Sequence, residues 1–264
     1  CLLFESKSYK QGLFRKCELL ETVRQKEDKE YAELLNEIRK GNLSNIWKIK
    51  ERIGAKLDLP EGIRPVRLLG YNKSVDSYNK QCLESIEEQP KNFKSIDYGE
   101  QHHIDSFERN CPVSKLLTLK KGAQVTLCWN VDVEDGFVNG LLGSVTGFAS
   151  DGSPIVKFVN KKSLVVTPQT WEIFEQVAIK DIIKYKSVAS RTQIPLKLAY
   201  ASTTHSAQGQ TLDFAVLDLE QVFTESQAYV ALSRVKKLNG ISILRDFDES
   251  KIKVNQKCLD FYSK

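Results

Sequence analysis

Apolar and polar residues follow a helical period and a strand period in turn near the start of the chain. Residues 17–25, CELLETVRQ, have the pattern of a short strand, and an amphipathic helix is predicted from about Lys26 to Lys40. Gly41 and Asn42 are expected to end this helix. The residues expected on its apolar face are Tyr31, Leu34, Leu35 and Ile38.

The same alternation of strand and helix continues to about Leu83. Ser44 is a plausible cap for a second helix through Ile49, and residues 64–71, RPVRLLGY, form the next predicted strand. Asn72 or Ser74 can then cap another helix. Strands followed directly by helices are typical of a layered α/β sheet.

From about Pro112 the pattern changes to short apolar stretches separated by glycine. The dipeptides DG at 135–136, NG at 139–140 and DG at 151–152 are hairpin signals. A small antiparallel barrel is therefore predicted for this part of the chain. The stretches that would form its strands are 120–130, 140–148, 153–159 and 162–176.

After Arg191 the α/β pattern returns. It predicts a strand at 196–202 with a helix starting after it, a strand at 214–219, a helix through Tyr229 and a strand at 241–244. The sequence thus predicts one α/β domain, formed by 1–111 and 191–264, that is interrupted by the barrel at 112–190.

Composition excludes few functions. The chain has 264 residues, of which 39 are basic and 34 acidic, and its net charge of +5 is compatible with a polyanionic partner. No apolar run approaches the roughly 20 residues that span a bilayer, so we expect no membrane partner and an intracellular protein. The six cysteines form no CxxC pairs, and we expect no metal site. With no methionine in it, the chain is expected to be part of a longer protein.

Two strings near the end of the chain carry candidate chemistry. Residues 198–213 are LAYASTTHSAQGQTLD, and residues 227–234 are QAYVALSR. Hydroxyls, a histidine and a glycine that follow a strand and open a helix could bind a phosphate through free backbone N–H groups. Taken alone, the TTH at 203–205 favours a capped helix with a glycine turn over a phosphate site.

In this order, the two strings resemble motifs five and six of superfamily-one helicases, in particular the PIF-type (petite integration frequency) helicases and their RecD-like relatives. Residues 19–42 resemble the fourth motif, and 120–148 is similar to the inserted barrel of the Src-homology-three kind. The resemblance covers the whole chain. It implies an α/β fold, the second RecA-like domain of a P-loop NTPase, interrupted by that small antiparallel barrel.

The resemblance also implies roles for individual residues at a nucleotide site. Arg24 and Arg234 would be catalytic and would bind the γ-phosphate of ATP across a cleft between domains, because only arginine offers a planar fork that stays charged. Gln208 and Gly209 would lie near the same nucleotide. For an arginine outside such motifs, a surface ion pair would be the simpler interpretation.

For single-stranded DNA, the resemblance points to hydroxyls and strand-end groups that contact phosphates without recognising sequence. Trp129 or Phe137 could stack on a base, although small barrels usually need aromatic residues in their cores. His102 and His103 lie in a polar stretch predicted to be an exposed loop, without metal-ligand partners. The residues implied to bind DNA are Thr203, Thr204, His205, Asn72 and Lys73.

One departure weakens the expected grip on DNA. Many relatives have HKSQG where this chain has HSAQG at 205–209, which removes a lysine and a serine hydroxyl.

No GxxxxGK[ST] loop and no apolar strand ending in paired acidic residues occurs in the sequence. ATP and Mg²⁺ would therefore be bound mainly by a first RecA-like domain, in the same polypeptide or in a partner chain.

The sequence thus predicts the C-terminal motor half of an ATP-dependent 5′-to-3′ DNA helicase acting in replication, repair, recombination or telomere maintenance. The alternative is a non-catalytic nucleic-acid-binding or scaffold subunit derived from a helicase domain, and a third possibility is an RNA-directed motor. In a eukaryote, we expect the nucleus or the mitochondrion as the compartment.

Overall fold

The computed structural model describes residues 2–12, 14, 17, 22–60, 62–179 and 182–262. Within this part of the chain, no helix combines the length and hydrophobicity that crossing a membrane requires. The helices are α1 (Lys7–Gln11), α2 (Lys29–Arg39), α3 (Trp47–Lys50), α4 (Asn72–Glu84), α5 (Gln101–Asn110), α6 (Gln227–Leu232) and α7 (Gln256–Tyr262). Short 3₁₀ helices are at Leu3–Glu5, Leu219–Gln221, Leu238–Gly240 and Glu249–Lys251. The strands are β1 (Val66–Leu69), β2 (Lys91–Lys94), β3 (Ile96–Gly99), β4 (Leu116–Leu119), β5 (Gln124–Leu127), β6 (Leu142–Phe148), β7 (Pro154–Phe158), β8 (Ser163–Val165), β9 (Gln169–Ile179), β10 (Ile182–Gln193), β11 (Leu196–Leu198), β12 (Ala201–Thr203), β13 (Ala215–Leu217) and β14 (Ile241–Ile243).

A four-stranded parallel sheet forms the first part of the fold, with the strand order β12-β1-β13-β14. Leu68 of β1 is paired with Ser202 on one side and with Leu217 on the other, and Leu217 is paired with Ile243. Strands from both ends of the sequence therefore build one sheet. This confirms the expected α/β layering before the antiparallel region and after it.

The amphipathic helix predicted near the start contacts α6 and shares a hydrophobic core with this sheet. All four residues predicted for its apolar face are buried, and the Tyr31 hydroxyl donates a hydrogen bond to the Leu232 carbonyl (2.7 Å). The helix begins at Lys29 rather than Lys26 because the Asp28 side chain accepts a hydrogen bond from the Tyr31 N–H and caps it. The core also contains Val66, Leu68, Ala215, Leu217, Ala228, Ala231, Leu232, Ile241 and Ile243.

Three local predictions differ from the structure. Ser44 caps no helix, because its N–H and hydroxyl both donate to the Asn42 side chain, and α3 starts only at Trp47. Tyr71 is the N-cap residue of α4 and provides no side-chain hydrogen bond, so neither Asn72 nor Ser74 caps that helix. The strand predicted at 17–25 lies partly outside the described residues, and 24–27 form a turn.

The middle of the chain is antiparallel, as predicted. A five-stranded sheet has the order β11-β5-β6-β7-β8, and smaller sheets have the orders β3-β10-β9 and β2-β4. The DG pair at 151–152 turns the chain between β6 and β7, with Gly152 at φ +91°. Antiparallel pairing begins at β2, before the predicted limit of 112, and includes β11, beyond 190. The domain limits themselves stay predictions.

The antiparallel region has its own hydrophobic core, the second of the structure. It contains Leu83, Leu117, Leu119, Val125, Leu127, Phe137, Val145, Val156, Phe158 and Leu196.

The strand predicted at 196–202 is two strands in two different sheets. The chain leaves the five-stranded sheet after β11 and enters the parallel sheet at β12. Two buried side chains satisfy the backbone at this crossing. The Asn79 side-chain oxygen accepts hydrogen bonds from the N–H groups of Tyr200 (3.0 Å) and Ala201 (2.8 Å), and the Gln124 side chain donates to the Ala199 carbonyl (2.8 Å). The crossing is therefore fixed from both sides, by α4 and by β5.

The stretch with the two adjacent histidines is helical rather than a loop. Helix α5 packs on β3 and β10 and covers one face of the three-stranded sheet. Beneath it, the fully buried Arg191 forms hydrogen-bonded ion pairs with Asp97 and Glu108, and its guanidinium lies 5.4 Å from the ring centre of Phe107. The hydrogen bond from Arg191 lowers the pKa of the Asp97 carboxyl. Sequence periodicity missed this helix because Phe107 is its one buried residue, and because the group buried beneath it is a charged arginine.

Replacing Arg191 with leucine is expected to destabilise the protein by about 3–5 kcal/mol, because the Asp97 carboxylate would stay buried without its partner. Urea denaturation monitored by circular dichroism measures this. The exposed Lys162–Asp135 ion pair provides the control, since Lys162→Ala should have a much smaller effect. Equal losses in the two variants would contradict the importance of the buried pair.

The same ion pair predicts a dependence of stability on pH. Asp97 has a lowered pKa in the folded protein, so its contribution is present above the ordinary carboxyl value of 3.8 and is lost as the pH falls below it. In the Arg191→Leu variant, the free energy of unfolding should therefore fall less steeply as the pH is lowered, because Asp97 has lost the partner that lowers its pKa.

Candidate functional site

Arg24 and Arg234 meet at one residue, Ser233, which follows α6. Arg24 donates one hydrogen bond to the Ser233 carbonyl (2.9 Å) and another to the Thr211 hydroxyl (3.0 Å). Arg234 donates to the Ser233 hydroxyl (2.9 Å) and to the Val230 carbonyl (2.9 Å). The two arginines predicted to act together are therefore brought together by the fold.

The local sequence positions this arginine cluster through backbone contacts. Gln25, next to Arg24, is buried and donates to the carbonyls of Val235 (2.9 Å) and Ser233 (3.3 Å). On the other side, the Gln227 side chain accepts hydrogen bonds from the N–H groups of Phe223 and Thr224 and holds the start of α6. Gln25 thus joins the segment of Arg24 to the residues that follow α6, while Gln227 fixes the start of that helix.

The arginine cluster has an unbalanced positive charge. Among the described residues, no carboxylate forms an ion pair with either guanidinium, whose partners are carbonyls and hydroxyls. Burial lowers the pKa of Arg234, and the positive charge of Arg24 lowers it further. An anion placed between these side chains would relieve the repulsion. The cluster therefore has the electrostatics of a phosphate site.

The segment from Thr203 to Thr211 is a sequence of turns, and the helix predicted to start there is absent. The Thr203 hydroxyl accepts a hydrogen bond from the Ser206 N–H (3.0 Å), and the Thr204 N–H donates to the Leu69 carbonyl (3.2 Å). The N–H groups of Ala207 and Gln208 are bonded within the same turn. The expected set of free backbone donors is therefore mostly used, and the prediction that a helix starts here was wrong.

Gly209 prevents a helix from continuing past this turn. Its φ of +88° is the left-handed conformation that glycine adopts readily, and it ends the turn begun at Thr203. Gln208 is exposed beside it. The Thr211 hydroxyl, two residues later, accepts a hydrogen bond from Arg24. Sequence patterns did not single out Thr211, although it lies within residues 198–213. The roles of Gln208 and Gly209 at a nucleotide stay predictions.

The predicted DNA-binding residues lie at the carboxyl ends of β1 and β12, which are neighbours in the sheet. Asn72, Lys73 and His205 are exposed, whereas Thr203 and Thr204 are buried. Asn72 and Thr203 line one cleft of about 730 Å³ between α4 and the antiparallel region. Sequence reasoning missed three lysines and two hydroxyl residues that line the same cleft: Lys80, Lys120, Lys197, Ser114 and Thr118.

An exposed aromatic pair stands beside Asn72. Tyr71 and Phe223 are 53% and 52% exposed, and their rings are stacked with centres 5.1 Å apart. Gly70 permits this approach, because a Cβ there would lie 2.9 Å from the Gln221 carbonyl oxygen. Trp129 and Phe137, which the sequence offered for base stacking, do not form such an exposed pair. Phe137 is buried in the second core, and Trp129 packs edge-on against Trp171.

Comparison with known proteins identifies the family. The family model described as the DNA helicase Pif1 2B domain matches residues 103–148, which extend from α5 into β6. The ATP-dependent DNA helicase PIF1 of Xenopus laevis is 33% identical over 98% of this chain. The crystal structure of the Candida albicans Pif1 helicase superposes with a TM-score of 0.78, at 31% identity over 98% of the chain. The chain belongs to the Pif1 helicase family.

The match to Pif1 helicases covers only part of each relative. The chain spans 40% of the length of the Xenopus protein and 63% of the Candida chain. A Bacteroides Pif1 structure in complex with ADP-AlF3 and single-stranded DNA gives a TM-score of 0.67 at 27% identity, over 94% of this chain and 56% of that one. The parallel sheet of this chain accordingly corresponds to the RecA-like α/β unit of these Pif1 structures.

Inorganic phosphate is expected to raise the melting temperature of this chain by binding at the arginine cluster. At ten times the dissociation constant, one bound anion contributes about 1.4 kcal/mol of stability. Differential scanning fluorimetry at constant ionic strength, with chloride as the reference anion, measures the shift. Arg24→Gln and Arg234→Gln should each remove it.

Arg39→Gln is the matched control for phosphate binding, because Arg39 is an exposed arginine on α2 that bonds only to Asn36 among the described residues. It should leave the phosphate effect unchanged. A shift of the same size in all three variants would mean that phosphate acts on the protein surface in general.

Proposed function

We propose that this chain is the C-terminal motor half of an ATP-dependent DNA helicase. The observation that carries the proposal is the arginine cluster, in which Arg24 and Arg234 share Ser233 and no described carboxylate neutralises them. A half-buried arginine with a purely structural role would normally have a carboxylate partner that balances its charge. The Pif1-family relatives, which are named ATP-dependent DNA helicases, support the same function.

In this proposal the two arginines bind the γ-phosphate oxygens of ATP when a first RecA-like domain closes on the cluster. Phosphoryl transfer depends on positioning and on donors that neutralise the charge of the transferred group. Two guanidinium groups can donate charge-assisted hydrogen bonds to the oxygens of one phosphate. The described residues of the cluster offer no carboxylate for Mg²⁺, so that ion would be held by the first domain, in the same polypeptide or in a partner chain.

Coupling to DNA would pass through the segment from Thr203 to Thr211. One end lies at the strand ends where Asn72, Lys73 and His205 are exposed, and the other contacts Arg24 through the Thr211 hydroxyl. A displacement of the arginine cluster on ATP binding would therefore shift groups that contact the DNA backbone. Alternating affinity of the two RecA-like domains for the strand would turn closure into a step.

Further details of the proposal rest on the family resemblance. They include 5′-to-3′ movement, a role in DNA replication, repair, recombination or telomere maintenance, and a nuclear or mitochondrial location in a eukaryote. We also infer that the five-stranded antiparallel sheet is a barrel of the Src-homology-three kind. Single-stranded DNA is the proposed partner, in line with the Bacteroides Pif1 complex.

A second candidate is a non-catalytic nucleic-acid-binding subunit. It is favoured by Ser206 and Ala207, which stand where many relatives have a lysine and a serine. Loss of that lysine would weaken the electrostatic grip on a DNA phosphate. Both candidates predict DNA binding, but only the motor predicts that the arginine cluster governs ATP turnover.

The deciding experiment measures DNA-stimulated ATP hydrolysis by the full-length protein. Arg234→Ala or Arg24→Ala should lower kcat by about 10³–10⁵-fold, as expected for arginines that stabilise the transferred phosphoryl group. DNA affinity without nucleotide should change little. Arg234→Lys should remain defective, because an ammonium cannot reproduce the planar fork.

Arg39→Ala serves as the control in the same assay and should keep the activity of the unmodified protein. Undiminished ATP hydrolysis in both cluster variants would exclude the motor proposal. If the full-length protein binds DNA but hydrolyses no ATP, the non-catalytic candidate replaces it.

The exposed aromatic pair predicts a contribution from base stacking. Tyr71→Ala should weaken binding of a labelled single-stranded oligonucleotide by about 1–3 kcal/mol, and Tyr71→Phe should retain it. Because stacking involves no phosphate, the salt dependence should keep its slope, whereas Lys73→Ala should reduce the slope by about one. Fluorescence anisotropy at several salt concentrations measures both effects.

Tyr98→Ala is the control for base stacking, since Tyr98 is an exposed tyrosine on β3, away from the parallel sheet. Unchanged affinity in Tyr71→Ala would remove the aromatic pair from the proposed DNA site without affecting the role of the arginines.

A further inference from the structure

Helix α5 lies across one face of the three-stranded sheet and is attached differently at its two ends. Near its carboxyl end, Glu108 forms an ion pair with the buried Arg191 of β10. Near its amino end, the Nε2 atom of His103 lies 3.5 Å from a carboxylate oxygen of Glu175, on β9. Only the first attachment is built around a fully buried group.

The amino-terminal attachment contains three potential metal ligands. His102, His103 and Glu175 each offer one ligand atom, and these atoms all lie within 4.8 Å of one another. The two imidazole rings are 3.7 Å apart, with planes inclined by 41°. The His103 side chain is only 14% exposed, whereas those of His102 and Glu175 are 65% and 55% exposed. One ligand is thus held in place by packing, and the others are open to water.

The chemistry of these three groups suits a particular class of ion. Two imidazoles and one carboxylate favour Zn²⁺ and similar first-row transition metals over Mg²⁺ and Ca²⁺, which prefer oxygen ligands. A carboxylate of Glu100 lies 3.5 Å from the Nδ1 atom of His102. Carboxylates beside a metal-binding histidine orient the ring and raise its basicity. Glu100 is therefore in position to support His102 as a ligand.

We propose that His102, His103 and Glu175 form a binding site for a divalent transition-metal ion of the Zn²⁺ class, and that the ion joins helix α5 to strand β9. Three protein ligands leave room for water on the bound ion. The site is separate from the arginine cluster and from the strand-end residues proposed to bind DNA. It does not depend on the helicase proposal.

Binding of the ion would fasten the second end of α5. The helix would then be held by Arg191 at one end and by the metal at the other, with β9 and β10 beneath it. Because the ion binds only the folded arrangement of a helix and a distant strand, it should stabilise the antiparallel region. The sequence concealed this site, since the histidines are adjacent but Glu175 is brought to them only by the fold.

The test is isothermal titration of the purified chain with ZnCl2 after treatment with a chelator. We expect one saturable site per chain, with a rise in melting temperature on loading. His103→Ala and Glu175→Gln should each weaken binding by at least about tenfold, and Glu100→Gln by about tenfold, the effect typical of an outer carboxylate. Circular dichroism of each variant without metal establishes that it is folded.

Two variants provide matched controls for the metal site. Glu172→Gln alters a nearby carboxylate of β9 that instead accepts a hydrogen bond from Ser187. His205→Ala removes the third histidine of the chain. Both should bind Zn²⁺ like the unmodified protein, because neither residue belongs to the site.

Titration with Co²⁺ identifies the ligands by absorption. Coordination by imidazole and carboxylate should give visible bands without the near-ultraviolet thiolate band that cysteine ligands would produce. Absence of saturable binding would overturn the proposal. So would a thiolate band, or an unchanged affinity in both His103→Ala and Glu175→Gln.

Discussion

The position of the strand-end residues proposed to bind DNA depends on how the chain passes from the five-stranded sheet to the parallel sheet at residues 199–201. Asn79 and Gln124 hold this crossing with buried hydrogen bonds to its backbone. Strand β12 follows immediately, and its end defines where the segment from Thr203 to Thr211 begins. A buried amide left without its partner costs on the order of 1–3 kcal/mol, so a shifted crossing is strongly disfavoured. Two side chains from separate parts of the fold therefore set the register of the region proposed to bind DNA.

The arrangement that follows from this register places residues proposed for DNA binding and for nucleotide binding on one short segment. Hydroxyls and exposed polar residues stand at the strand ends, and the Thr211 hydroxyl stands beside the arginine cluster. Gly209 allows the reversal that joins them. The turns use most of the backbone donors internally, which leaves recognition to side chains. This differs from a phosphate site at a helix start, where backbone N–H groups bind directly.

Sequence patterns predicted the elements whose stability is local or periodic. The apolar face of α2, the strands β1, β13 and β14 and the hairpin at 151–152 follow from spacing and turn residues. The pattern failed where a distant partner decides the structure. Helix α5 covers a buried arginine, the segment after β12 bends at Gly209, and Tyr71 stacks on Phe223. Arg24 and Arg234 were found through motif resemblance, but their meeting at Ser233 required the fold. No periodicity in a single sequence records contacts between such distant residues.

The hydrogen bonds of Arg24 and Arg234 also bear on the entropy of ligand capture. A free arginine side chain loses about 1.5–2 kcal/mol of rotamer freedom when it is immobilised. Here both guanidiniums are already restrained by Ser233, Thr211 and Val230. Folding has thus ordered them in advance, and most of that loss need not recur when a phosphate arrives. Such preorganisation lowers the entropic cost of binding an anion between the two side chains.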